Sequence, residues 1–235
     1  MPILGENRVK ILIATHKSWN IERAYKLIKD ECEHDIRLVT EKDELTEKMV
    51  EEFSPDYIFF PHWSYYIPEN IYEKYECVVF HMTDLPFGRG GSPLQNLIVR
   101  GIKTTKISAI KVVEGLDAGP IYLKEDLELY GTAQEIYDRA SAVIFSKMIP
   151  AILQGDITPK EQEGEVVTFK RRKREDGEIS PEMDIETMYD YIRMLDAEGY
   201  PNAFMKFGDY VLEFSDAGID GNNLTAKVSI HREDK

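Results

Sequence analysis

The sequence predicts an α/β fold: a Rossmann-like, mostly parallel sheet with helices on both faces, followed by a small α+β C-terminal subdomain. Three observations carry this. Short apolar runs, VKILIAT (Val9–Thr15), DIRLVT (Asp35–Thr40), YIFFP (Tyr57–Pro61) and CVVFH (Cys77–His81), recur along the first third of the chain. Amphipathic stretches separate them, which is the alternation of βαβ units. The last quarter changes character to one helical stretch and strand-like pairs.

KILIA is read as a first buried strand, since its apolar run is too short and too polar-flanked for a secretory leader. In WNIERAYKLIKD, residues Ile21, Ala24, Tyr25, Leu27 and Ile28 are expected on one helical face, and ELTEKMVEEF gives a second helix. SPLQNLIVRG follows as a short helix. ISAIKVV and GPIYLKEDLEL, rich in β-branched residues, are expected as strands either side of a tight aspartate turn. AQEIYDRASAVIFSKMIPAIL is a long helix, closing a first domain at 1–155. QGDITPKEQEGE reads as a linker into a second, 156–235. There PEMDIETMYDYIRML is helical, FMKFGDYVLEF a hairpin turning at Gly208-Asp209, and LTAKVSIH a last strand. The face of that helix around Tyr189 and Ile192 would serve either a homodimer or the chain's own core.

Composition bounds the function. The 235 residues carry a net charge of −14, which repels a large polyanion at long range and argues against nucleic acid as partner. One local exception is KRRKR, Lys170 to Arg174, read either as a solvated segment or as a clamp for a small substrate's phosphates. The two cysteines, Cys32 and Cys77, form no metal-ligand spacing or CxxC pair, so a cytoplasmic location is expected. No apolar run has the length of a membrane span. The five histidines, His16, His34, His62, His81 and His231, show no ligand spacing, and no metal is expected. The first strand ends at Thr15-His16-Lys17-Ser18, with neither GxGxxG nor GxxxxGK[ST], so dinucleotide and nucleoside triphosphate binding are unsupported.

Two strings point to chemistry: FHMTDLPFGRGGSP (Phe80–Pro93) and GLDAGPI (Gly115–Ile121). Each follows an apolar run, so each is expected at or beyond a strand end, where open parallel sheets bind ligands. Alone, His81 is a satisfied polar residue, Asp117 a turn former, and Gly88, Gly90 and Gly91 loop permits. The combination is more specific, since a His and an Asp brought together at such a place can do acid–base chemistry.

These two strings resemble the signature segments of the folate-dependent formyltransferases, over about Val9 to Leu153. TFKRRKREDGEIS, YDYIRML and YPNAFMKF are similar to the small C-terminal region of the methionyl-tRNA and sugar enzymes of that family. The resemblance implies transfer of a formyl group from N10-formyltetrahydrofolate to a primary amine, with no metal. It implies His81, Asp117 and Thr83 as catalytic residues, and Leu85, Pro86, Phe87, Gly88, Gly115 and Leu116 around the pterin. Arg89, Gly90, Lys170, Arg171 and Arg172 are expected on the acceptor. His81 would steady the oxyanion or handle the proton, with Asp117 orienting it. The family's asparagine two residues before the histidine falls on Val79, which cannot donate to an oxyanion: the readings are another donor, such as Thr83, Asn96 or a backbone N–H, a slower enzyme, or a domain that binds without catalysing, the first being favoured.

Acidic charge and a short C-terminal region set methionyl-tRNA aside at this level. The acceptor expected is a nucleotide-linked amino sugar, such as a UDP-4-amino-4,6-dideoxy sugar of the pseudaminic acid class. HWSYYIP (His62–Pro68) is a candidate wall of its cleft. The alternatives are a carrier-bound aminoacyl group, or a non-catalytic binder of folate or nucleotide sugar.

Overall fold

The computed structural model describes residues 8–30 and 33–232, so Cys32 lies outside the described residues. In chain order the elements are β1 (Lys10–Ala14), α1 (Ser18–Asp30), β2 (Asp35–Val39), α2 (Glu47–Phe53), β3 (Tyr57–Phe60), α3 (Glu69–Tyr72) and β4 (Glu76–His81). Then come β5 (Phe87–Gly90), α4 (Pro93–Ile98), β6 (Thr104–Lys111), β7 (Ile121–Glu128), α5 (Ala133–Val143), α6 (Ile149–Leu153) and β8 (Val167–Phe169). Last are α7 (Ile185–Arg193), β9 (Ala203–Phe207), β10 (Tyr210–Asp220) and β11 (Asn223–Arg232).

Six strands form one sheet in the order β2-β1-β3-β4-β6-β7. The pairs β1/β2, β1/β3 and β3/β4 are parallel, and β4/β6 is antiparallel. The fold class is therefore as expected, an α/β sheet of mostly parallel strands with a small antiparallel sheet after it, ordered β11-β10-β9. β1 and β3 are almost wholly buried, with Ile11, Leu12, Ile13, Ile58 and Phe59 at 0% exposure. Burial on both faces is what gives parallel strands their continuous apolar runs. Among the described residues, no helix is long and apolar enough to cross a membrane.

The chain divides into two compact units, each discontinuous in sequence. The first combines 1–89, 106–126 and 138–167, and the second 90–105, 127–137 and 168–235. In the first, Leu12, Ala14, Val39, Val50, Ile58, Phe60, Ile71 and Cys77 make one apolar cluster, with Val79 packed at its margin. Burial, then the Glu76 carboxylate, pushes the Cys77 thiol up to about 12, leaving it unreactive at neutral pH. In the second, α4 is fixed through its amides. Gln95 donates to Tyr137 Oη and to the Met194 carbonyl at 3.1 and 3.0 Å. Asn96 donates to the carbonyls of Gly91, Ser92 and Lys170 at 2.9–3.1 Å.

Three details differ from the sequence expectations. Tyr25 is 61% exposed, while Ala24 is fully buried. At 100° per residue Tyr25 points well away from the face centred on Ala24. The long helix after Ala133 contains a π-helical segment, Ile144–Met148, just before Pro150. Proline has no N–H and its ring crowds the carbonyl four residues back, so the wider turn accommodates it. The stretch read as a linker is tied down, and Lys160 exchanges backbone bonds of 2.7 and 2.9 Å with Ile121.

Candidate active site

β4 brings His81 to its C-terminal end, at 8% exposure. The chain then turns through Thr83-Asp84-Leu85-Pro86, with a cis bond at Leu85-Pro86, into β5. Ser108 on β6, opposite His81 in the ladder, holds this turn. Its hydroxyl donates to the Thr83 carbonyl at 2.7 Å and accepts from the Leu85 N–H at 3.4 Å. Lys124 on β7 donates to the Leu85 carbonyl at 2.6 Å and ion-pairs with Asp84. Neither Ser108 nor Lys124 stood out in the sequence, because a lone serine or lysine in a strand carries no pattern.

The turn returns Gly88 to the histidine. His81 Nε2 lies 2.8 Å from the Gly88 carbonyl oxygen. Gly88 has φ of 80°, a conformation that glycine adopts without strain. The fully buried Thr83 hydroxyl reaches the same carbonyl at 3.4 Å. From the other side, Asp117 presents its carboxylate 3.5 Å from His81 Nδ1, both side chains being about nine-tenths buried. Asp117 sits at φ of 52°, in the left-handed region, directly after the exposed Leu116 and Gly115. A ring with one nitrogen on a carboxylate and the other on a carbonyl has a fixed orientation. Its cationic form donates at both nitrogens and its neutral form at one.

The structure thus brings together His81, Asp117, Thr83 and Gly88 in the first unit. Arg89 turns its guanidinium onto Gln162 Oε1 at 2.8 and 3.1 Å. Gly90 belongs to the second unit, where an added Cβ would lie 2.4 Å from the Phe169 carbonyl oxygen. Lys170, Arg171 and Arg172 follow Phe169 in that unit, Lys170 and Arg171 being exposed and Arg172 partly buried. The Arg172 N–H donates to Ser92 Oγ at 3.0 Å and its guanidinium lies over the Tyr191 ring. Val79 packs its side chain against the apolar cluster, and the Asn96 amide, one suggested replacement, is taken up by its three carbonyls.

At the C-terminal ends of β1 and β3, His16, Trp63 and Tyr65 form a ring cluster with centroids 5.1–6.0 Å apart. Thr15 Oγ1, His16 Nδ1 and Trp63 Nε1 are buried there without a hydrogen-bond partner. His62, at φ of 54°, stacks edge-on to Trp19 with centroids 5.5 Å apart. Burial, then the Lys17 cation and His16, pushes the His62 imidazole from 6.5 down to about 3. Burial and Lys17 also lower His16. At neutral pH both rings are uncharged. Among the described residues there is no group of His, Cys, Asp and Glu that would hold a metal.

A mostly parallel sheet thus carries the His81–Asp117 pair beyond its strand ends. The chain belongs to the formyl transferase family, whose model matches residues 11–151. Residues 174–231 match the model described as methionyl-tRNA formyltransferase, C-terminal domain. The solved structure of methionyl-tRNA formyltransferase from Clostridium thermocellum is 57% identical, with a TM-score of 0.94 over 96% of this chain and 100% of that one. The methionyl-tRNA formyltransferase of Bacillus cytotoxicus is 33% identical over 183 residues, 74% of this chain and 57% of the relative. That of Rickettsia bellii is 29% identical over 201 residues, 82% of this chain. The chain spans 66% of the Rickettsia relative's length.

These likenesses correct the acceptor. The nucleotide-linked amino sugar, the pseudaminic acid assignment and the exclusion of nucleic acid do not stand, since the curated relatives and the 57% identical structure are methionyl-tRNA formyltransferases. A sugar enzyme, the 4-N formyltransferase of Francisella tularensis, is 16% identical with a TM-score of 0.66 over 97% of this chain and 99% of that one, and so shares the fold alone. A net charge of −14 does not decide against such an acceptor. Phosphate contacts are made by a local set of cations, which a sum over the whole chain hides.

Proposed function

We propose that this chain transfers the formyl group of N10-formyltetrahydrofolate to the amine of a methionyl residue esterified to tRNA. The observation that supports the acceptor most directly is the 57% identity, extending over 96% of this chain and all of the Clostridium thermocellum enzyme. Formyl donation through N10-formyltetrahydrofolate is the chemistry of the family. Asp117, with its φ of 52°, holds out the 73% exposed Leu116, whose apolar side chain suits one face of a flat pterin. Leu85, Pro86, Phe87, Gly88 and Gly115 supply the backbone that would meet its edges.

The amine attacks the formyl carbon and places negative charge on the formyl oxygen; on collapse the bond from that carbon to N10 breaks, tetrahydrofolate leaves, and the proton lost by the amine is taken up at N10. Asp117 holds Nδ1 of His81 and so fixes the ring. Nε2, which faces the Gly88 carbonyl at 2.8 Å, exchanges that partner for the developing oxyanion or takes the amine proton. The buried Thr83 hydroxyl, which reaches the same carbonyl, is the side-chain donor proposed to stand in where Val79 offers none. The neutral ring cluster of His16, Trp63 and Tyr65 is the apolar wall proposed for the methionyl side chain. Lys170, Arg171 and Arg172 are the cations proposed to meet tRNA phosphates. The two domains at 1–155 and 156–235 would divide these tasks, chemistry in the first and most tRNA contact in the second. Such a chain works in the cytoplasm, where aminoacyl-tRNA is made.

The test is a single-turnover assay with N10-formyltetrahydrofolate and methionyl-tRNA, read as formyl-methionine by mass spectrometry. Formyl-methionine dependent on His81 is expected. Donor turnover with methionyl-tRNA left unformylated would overturn the acceptor.

A further inference from the structure

The segment after α6 has no helix, yet its register is set. Lys160 and Ile121 form an antiparallel bridge. In an antiparallel pair, a residue two positions further on one strand comes opposite one two positions earlier on the other. Gln162 is thereby delivered to Gly119 and the turn that carries Asp117. Its Nε2 donates to the carbonyls of Asp117 and Gly119, each at 2.8 Å. Its Oε1 accepts from Arg89 Nε at 3.1 Å and Nη2 at 2.8 Å. Both amide hydrogens and both lone pairs are in use.

These bonds close a circuit. His81 Nε2 meets the Gly88 carbonyl, and the next residue, Arg89, donates to Gln162. Gln162 donates to the Asp117 carbonyl, and the Asp117 carboxylate meets His81 Nδ1. The two loops that grip the histidine are joined behind it by one neutral side chain.

We infer that Gln162 is a positioning residue for the His81–Asp117 pair, acting by fixing the Asp117 turn against the Gly88-Arg89 loop. The inference rests on the reading of that pair as the acid–base machinery. Asp117 is held at φ of 52°, which a loop without that hold would relax. A shift of 1 Å in a reacting group costs about 100-fold in rate. An amide does this without adding a second charge beside the Asp117 carboxylate.

The test compares Gln162→Met, which keeps length and removes all four bonds, with Gln162→Glu. The glutamate still accepts from Arg89 but cannot donate to the Asp117 and Gly119 carbonyls. In the assay with N10-formyltetrahydrofolate and methionyl-tRNA, both variants are expected to lose about 100-fold in kcat. KM for the donor is expected to stay within about two-fold, and the pH profile of kcat to change shape. A Gln162→Glu variant at wild-type kcat would overturn the proposal, since only the Arg89 arm would then matter. So would a loss confined to KM. Crystal structures of the two variants give a readout independent of the reaction. An unchanged His81–Asp117 separation with Asp117 still left-handed overturns the inference even if wild type proves inactive on methionyl-tRNA; a widened separation supports it. Inactive wild type is by itself a failure of the functional reading only.

Discussion

The carboxylate of Asp117 stands 3.5 Å from Nδ1 of His81, although the two residues arrive on different strands' loops. β4 delivers the histidine and the β6–β7 connection delivers the aspartate. Removing either charge-bearing group leaves the backbone of both loops in place. Asp117→Asn and His81→Ala are each expected to lower kcat by roughly 10²–10⁴-fold. Melting temperatures should change little, and activity near wild type in either variant would displace the pair from the reaction.

Gly119 makes the aspartate turn sterically particular. A Cβ built there would lie 1.8 Å from the Lys111 carbonyl oxygen. That clash is with backbone and has nowhere to go. Gly119→Ala is expected to destabilise the protein by more than about 2 kcal/mol, read as a lowered denaturant midpoint. A variant as stable as wild type would show that the β6–β7 loop repacks freely.

The basic run gives a salt-dependent signature. Lys170→Ala with Arg171→Ala is expected to weaken tRNA binding and to lower the slope of log K against log salt by roughly 0.7–0.9 for each phosphate that is no longer neutralised. Folate affinity should not move. Equal weakening of both ligands would assign the segment a structural task.

His62 sets a pH limit on stability. Its folded value of about 3 lies below the usual 6.5, so at acid pH the unfolded chain takes up a proton that the folded chain refuses. The contribution is complete above about pH 6.5 and shrinks as pH falls toward 3, by on the order of 1–2 kcal/mol at pH 5. His62→Asn, which tolerates the left-handed backbone, should flatten the stability curve between pH 7 and pH 5 in denaturant titrations. An unchanged slope would place the acid sensitivity elsewhere.

Much of this was legible in the sequence because it rests on local pattern. Runs such as KILIA and YIFF announce buried parallel strands, and β1 and β3 fall on them. His81 and Asp117 were visible through the proline- and glycine-rich strings around them. Gln162 was not, since a glutamine in a polar stretch has no periodicity, and its meaning comes from the Lys160–Ile121 bridge. The acceptor is hidden from composition for a related reason. Charge that meets a phosphate acts locally, and a sum of −14 does not record place.

The left-handed backbone of His62 and Asp117 has a consequence for evolution. At either position glycine would relieve the conformation, worth up to about 1–2 kcal/mol. A search for more robust variants would therefore be drawn to these two sites and would discard the imidazole and the carboxylate together with the strain. A lineage that still needs those groups is held below the robustness its own fold permits.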